Sequence, residues 1–489
     1  MADGAAAPKV RMGTPAGRWV VAATVLGSGI AFLDGTVVNV ALPAISRNLH
    51  GGIAGLQWTL DAYLITLTAL MLLGGSLGDL FGRRRVFVAG LAGFGAVSAL
   101  CGAAPTIGVL IAGRALQGVA GALLVPSSLS ILSATFHPED RARAVGAWSG
   151  LAGISSAVGP FLGGWLVDIG SWRYVFLINL PLAAAAVAIA LRHVPETRES
   201  AAGQRVDIPG AMAATLGLAG ACYAVIEGAR HFSGLDAAAG VVGGAALIAF
   251  VLIEGRRPSP MLPLNLFRSR QFSGANLVTL AVYAGLGVTF FLVVLELQIG
   301  LHYSALAAGV SLLPVTGIML ALSARFGALA QRTGPRLPMT AGPVIVGAGL
   351  LWLSRVAPGS HYVSTVMPAL AVFGFGLAMT VAPLTAAVLA AVDDHHVGVG
   401  SAVNNAVSRL AGLLSVAVLP AVVGLQTGSA ALLGPGYREA MVIAAGLSAA
   451  GGIIALVTIR RSVPVSPTTQ ASVGQCCHPP EVAHLEPAA

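Results

Sequence analysis

Residues 19–42 read WVVAATVLGSGIAFLDGTVVNVAL, 24 residues carrying one charge, Asp34. At 1.5 Å of rise per residue a helix of this length covers roughly 36 Å, enough to cross a hydrocarbon core of about 30 Å. Asp34 lies roughly 22 Å along it, close to the middle of a bilayer. A charge at that depth costs on the order of 2.5–3.5 kcal/mol even on the mildest insertion scale. The carboxylate is either tied up in helix packing or used to load and unload a proton. Carboxylates are poor packing residues, so the second use is expected.

Working outward, about fourteen runs of this kind follow one another: 19–42, 57–78, 86–104, 107–133, 144–167, 174–191, 208–227, 237–254, 273–297, 305–324, 338–355, 364–390, 400–424 and 440–459. The composition agrees. Charged residues are 9% of the chain, hydrophobic residues 56%, and the mean hydropathy is +0.85. A soluble domain carries roughly 25% charged residues, so this surface must face lipid. The 63 glycines fit helices whose backbones approach closely in a bilayer. The net charge of +8 does not indicate nucleic acid, because the basic residues sit in short clusters between apolar runs. Every basic residue except Lys9 is arginine. A phosphate-cradling Walker loop, which needs a lysine, is therefore excluded, and no cofactor is expected.

Basic residues set the topology. With the N-terminus in the cytoplasm, twenty of the 27 fall in cytoplasmic segments, five lie outside, and Arg114 and Arg409 fall within spans. Both termini are then cytoplasmic. The loop after the second span, Gly75-Ser76-Leu77-Gly78-Asp79-Leu80-Phe81-Gly82-Arg83-Arg84, is echoed after the tenth by Gly327-Ala328-Leu329-Ala330-Gln331-Arg332-Thr333-Gly334-Pro335-Arg336, at an offset of 252 residues. Related halves of this kind are common in transporters. The chain divides into a leader (1–18), a six-helix bundle (19–191), two extra spans with linkers (192–272), a second six-helix bundle (273–459) and a Pro-rich, disordered cytoplasmic tail (460–489).

Several stretches resemble the major facilitator superfamily, specifically its fourteen-span drug–proton antiporter branch. They are Leu33-Asp34-Gly35-Thr36-Val37-Val38-Asn39-Val40-Ala41-Leu42-Pro43, the loop at Gly75–Arg84, Arg114-Ala115-Leu116-Gln117-Gly118, and the run from Gly150 to Gly164 with Gly159-Pro160 inside it. Trp172-Arg173, Phe176, Asn179, Pro181 and the stretch from Gly400 to Asn404-Asn405 continue the pattern. The resemblance implies an all-α integral membrane protein of two six-helix bundles plus two extra helices. It implies alternating access and antiport of a drug or antibiotic against protons, by a monomer in the bacterial cytoplasmic membrane. It places spans one and four beside a central cavity.

On that reading Arg114, at nearly the depth of Asp34, stabilises the deprotonated carboxylate and repels its proton. Asn39, Asp61, Gln117, Glu227, Glu296, Asn404 and Asn405 are candidates for the substrate cavity, and the acids among them hint at a cationic substrate. For Asp61, Glu227 and Glu296 an interfacial, solvated carboxylate is an equal alternative. Gly75, Asp79, Gly82, Arg83 and Arg84 form a cytoplasmic gate latch, with Asp79 able to cap a facing helix, although topology alone could account for the arginines. Gly159 and Pro160 bend the fifth span so that helices close tightly. An uptake carrier, a membrane enzyme and a receptor are rival readings. Compound-induced proton release in everted vesicles separates them from an antiporter.

Overall fold

A computed structural model of the chain describes residues 9–197, 207–229, 232–257, 260, 262–392, 397–425 and 433–460. Residues 1–8 of the leader, Arg198, Arg205 and Arg230, and positions 461–489 of the expected tail lie outside the described residues. Fourteen long helices follow in order: α1 (Pro15–Leu49), α2 (Gly52–Phe81), α3 (Arg83–Gly102), α4 (Ile107–Thr135), α5 (Pro138–Ile169), α6 (Tyr174–His193, with a break at Ile178) and α7 (Ile208–Gly228). Then come α8 (Gly234–Arg256), α9 (Arg270–Gly300), α10 (Ala305–Thr333), α11 (Arg336–Leu353), α12 (Tyr362–Leu389), α13 (Val397–Val422) and α14 (Leu433–Thr458). Among the described residues, thirteen are long and apolar enough to cross a membrane. The remaining one, α5, spans 32 residues and holds the apolar stretch Ile154–Ile169.

Local chemistry starts these helices. Thr14 caps α1 by accepting from the Gly17 N–H at 3.1 Å, and Pro15 occupies the first turn, where a missing N–H costs nothing. Ser233 and Asp236 form a reciprocal capping box at α8. The end of the leader is pinned: Val10 N–H donates to the Thr135 carbonyl at 2.8 Å and Met12 N–H to the Asp140 carboxylate at 3.0 Å.

Helices α1–α6 pack on one another, as do α9–α14. The repeat is visible in the backbone. Gly82 and Gly334, equivalent at the 252-residue offset, both turn at positive φ (102° and 84°), a conformation that favours glycine. Helices α7 and α8 form a separate pair, which meets the rest through α7 against α2 and α13. The pair closes on glycine: a Cβ on Gly243 would come within 2.7 Å of the Ala221 nitrogen. Lipid offers helices no hydrophobic drive to associate, so such close approach supplies the packing energy. Val241 of α8 is 72% exposed, as a lipid-facing residue would be.

The two bundles touch at one end. Gln57 of α2 donates to the Val416 and Ala417 carbonyls of α13 at 2.6 and 3.3 Å, and Gln298 of α9 donates to the Val40 carbonyl of α1 at 2.9 Å. The Asp168 carboxylate, in the last turn of α5, accepts from the Ala305 and Leu306 N–H groups at the start of α10, at 3.1 and 2.9 Å. These contacts all lie toward the end opposite Arg83, Arg84 and Arg85. The hydrogen bonds described between the bundles thus gather at one end of the molecule.

Candidate functional site

Asp34 is fully buried in the first bundle, where six other residues from α2, α3, α4 and α6 meet it or its partners. Arg114 Nη1 donates to Asp34 Oδ2 at 2.5 Å and to Gln117 Oε1 at 2.6 Å. Arg114 Nε donates to the Thr59 carbonyl of α2 at 3.0 Å. Gln117 Nε2 donates to Asp34 Oδ1 at 3.0 Å and to Ser98 Oγ of α3 at 2.9 Å. Asn179 Nδ2, from the turn where α6 resumes after its break, donates to Asp34 Oδ1 at 3.0 Å. The Tyr63 ring lies 4.3 Å from the Arg114 guanidinium carbon. Arg114 and Gln117 share a helix face because they are three residues apart.

Both charges are 0% exposed. Such a pair survives desolvation only when good geometry and further hydrogen bonds satisfy it. Asp34 has both: Oδ2 faces the guanidinium, and Oδ1 takes two amide donors. The carboxylate and the guanidinium thus lie together inside one hydrogen-bond network.

The other expected cavity residues divide. On α1, Phe32, Gly35 and Asn39 are partly exposed although the flanking Leu33, Asp34, Val37, Val38 and Val40 are buried. Asn405 of α13 is exposed and bonds only to its own helix, at the Ser401 carbonyl. Asn39 and Asn405 thus face open space. Asn404 instead ties α13 to α9, donating to Thr279 Oγ1 at 2.7 Å and Asn276 Oδ1 at 3.2 Å. Gln117 belongs to the Asp34 network and not to a cavity wall. Glu227 of α7 accepts from Trp58 Nε1 of α2 at 3.0 Å. Asp61 and Glu296 are 0% and 1% exposed, so neither is a solvated interfacial carboxylate and neither lines a cavity in this conformation.

The gating candidates also separate. Asp79 pairs with Arg83 in its own loop at 2.8 Å and caps no facing helix among its described contacts. Glu196, beyond α6, accepts from the Arg84 N–H at 3.1 Å and lies 3.6 Å from the Arg84 side chain. Gly82 supplies the turn, and Gly75 packs near Pro126 of α4. Gly159 abuts Thr36 of α1, and Gly163 abuts Val37. On the adjoining face, a Cβ on Gly164 would lie 2.6 Å from the Leu306 Cα of α10, and the Pro160 carbonyl faces Gly309. The fifth helix thus presses on its own bundle with one face and on the other bundle with the next, at the end where the hydrogen bonds between the bundles gather.

The sequence pattern of the Major Facilitator Superfamily matches residues 24–416. The chain belongs to that superfamily. It is 34% identical over 406 residues to the puromycin resistance protein pur8 of Streptomyces alboniger, an alignment that covers 82% of this chain and 80% of that protein. It is 32% identical over 418 residues to the tetracenomycin C resistance and export protein of Streptomyces glaucescens, covering 83% and 76%. A crystal structure of the peptide transporter POT in complex with sulfate overlays with a TM-score of 0.65 over 92% of this chain and 96% of that one. At 13% identity that likeness concerns the fold alone.

Within this superfamily member, Thr59, Tyr63 and Ser98 contact the Asp34 network and Glu196 contacts Arg84, and none of the four stands out in the sequence. In the sequence Asn179 appears only as part of the family pattern. Serine and threonine are ordinary in membrane helices, so nothing marked Ser98 or Thr59. Asn179 stands alone as an amide in an otherwise apolar run, and that signal could have been used.

Proposed function

We propose that the chain exports a small organic compound, of the drug or antibiotic class, in exchange for protons. The observation that carries this is the buried Asp34 carboxylate, held by Arg114, Gln117 and Asn179 in a bundle whose described hydrogen bonds to its partner gather at the end away from Arg83, Arg84 and Arg85. The names of the relatives, which speak of resistance and export, support the compound class. The excess of arginine at the opposite end supports a cytoplasmic position for it, and in this reading the conformation described admits a compound from inside.

In this reading the bundles rock about the seam. A proton arriving from outside neutralises Asp34, Arg114 is released from it, and α1 shifts against α5 as the compound leaves. One charge crossing about 100 mV supplies roughly 2.3 kcal/mol, which sustains a gradient of roughly fifty-fold for a neutral compound before any pH difference is added. The test is export into everted vesicles with an interior pH dye. Asp34→Asn should abolish compound-induced proton release while leaving the protein inserted and monodisperse. Full coupling in Asp34→Asn would overturn the assignment.

A further inference from the structure

Arg409 is the second arginine inside the spans, and it lacks what Arg114 has. It stands twelve residues after Val397, the first residue of α13, or roughly 18 Å along the helix, near the middle of the bilayer. No hydrogen bond or ion pair to it is described, and its Nε is buried without a partner. Its guanidinium carbon lies 5.6 Å from the Phe32 ring of α1, across the seam between the bundles. A ring at that distance is a weak substitute for an anion. Among the described residues no acid of the spans pairs with it. Asp34 is committed to Arg114, Glu227 accepts from Trp58, and Asp61 and Glu296 are buried elsewhere.

Space adjoins this buried group. Asn405, Arg409 and Gly412 recur at helical spacing on one partly exposed face of α13, while Val403, Ala411 and Leu413 are buried. On α1 the opposing face holds Phe32 and Gly35. A Cβ built on Gly35 or on Gly412 would meet nothing within 4 Å. A cation at mid-membrane with an unsatisfied nitrogen calls for a physical reason, and space beside it is where a counter-ion would sit.

We propose that Arg409 is the anchoring site for an acidic group on the exported compound. The substrate class is then an amphipathic aromatic anion carrying an ionised carboxylate, and not a cation. The inference rests on the export reading given above. A guanidinium presents paired N–H donors that match two carboxylate oxygens. Phe32 offers a ring face to the aromatic body of the same molecule. The acids that might have drawn a cation are sequestered, which leaves a positive centre in the seam.

The experiment uses the full-length transporter in everted vesicles. The probes are a panel of two- to four-ring aromatic carboxylates, the same molecules as primary amides, and the cation ethidium. Energised uptake and its apparent affinity are read for the wild type, Arg409→Gln and Arg409→Lys, with size-exclusion profiles confirming folding. The wild type should take up carboxylates in preference to their amides. Arg409→Gln should weaken carboxylate affinity by roughly ten- to a hundred-fold while the amides change by less than about two-fold. Arg409→Lys, which keeps the charge but not the fork, should recover part of the loss. Preference for ethidium or the amides, or an equal loss for all three classes, would refute the anion site and leave the exporter standing. Absence of energised uptake of every probe by the wild type would remove the export reading and the site with it.

Discussion

Removing the Asp168 carboxylate should open the end of the molecule where the two bundles bond to each other. Asp168 belongs to the first bundle and accepts from the Ala305 and Leu306 N–H groups of the second, at 3.1 and 2.9 Å. These are the first two amides of α10, and they have no carbonyl partner within their own helix. Ser304 already serves Ala307 N–H at 3.1 Å, so its hydroxyl is not a replacement. Charge-assisted bonds of this kind contribute about 1.5–3 kcal/mol each when buried. Asp168 is exposed, so solvent takes over part of that on release, and about 1–2 kcal/mol for the pair is the working figure. At 1.4 kcal/mol per decade, Asp168→Ala should raise the population open at that end by roughly five- to thirty-fold. The reporter is Asn39→Cys, which lies in the seam behind the seal, in a chain whose four native cysteines are replaced by serine. Its labelling rate with an impermeant maleimide added from the Asp168 side should rise by the same factor. Asp168→Asn, which keeps one acceptor oxygen, should fall between. Unchanged labelling in a folded, monodisperse Asp168→Ala protein would refute the claim that this contact holds the end closed.

Four further outcomes are expected. Gly164→Ala places a methyl group 2.6 Å from the Leu306 Cα, so it should push α5 from α10 and raise the same labelling rate even with Asp168 intact. Arg114→Ala leaves Asp34 buried without its cation, which should destabilise the protein by about 3–5 kcal/mol, read as a lowered Tm; Arg114→Lys should fold better yet lose proton coupling, since one ammonium cannot reach Thr59, Asp34 and Gln117 together. Asn179→Ala removes one of two donors to Asp34 Oδ1, and the rate of compound-coupled proton exchange should fall roughly ten-fold with compound affinity little changed in equilibrium binding. Asp79→Asn breaks the loop pair with Arg83, so maximal rates should fall uniformly across compounds while the rank order of inhibition constants is kept.

Much of the architecture was open to reading from the chain alone. The spans, the lone deep carboxylate at Asp34 and the loop repeat, later seen as positive-φ turns at Gly82 and Gly334, follow from energies that do not depend on neighbours. Lipid penalises any charge and any unsatisfied backbone group wherever the helix stands. Depth is also a one-dimensional quantity, countable along a helix, and it was enough to pair Arg114 with Asp34.

What surrounds a residue at a given depth is decided by the rotation of its helix, and one residue turns a helix by about 100°. Counting could therefore place Gln117 at the right level without showing that it faces Asp34 and not the cavity. It could place Asp61 and Glu296 in spans without showing that both are buried away from open space. The same limit hid Asn179 and Ser98 as partners of the carboxylate, and it hid the double role of α5, whose glycines press on Thr36 and Val37 with one face and on Leu306 with another. Arg409 was counted as a span arginine and nothing more. Only the packing of α13 against α1 leaves its guanidinium facing the seam without an acid, because that depends on which faces of two helices from different bundles meet.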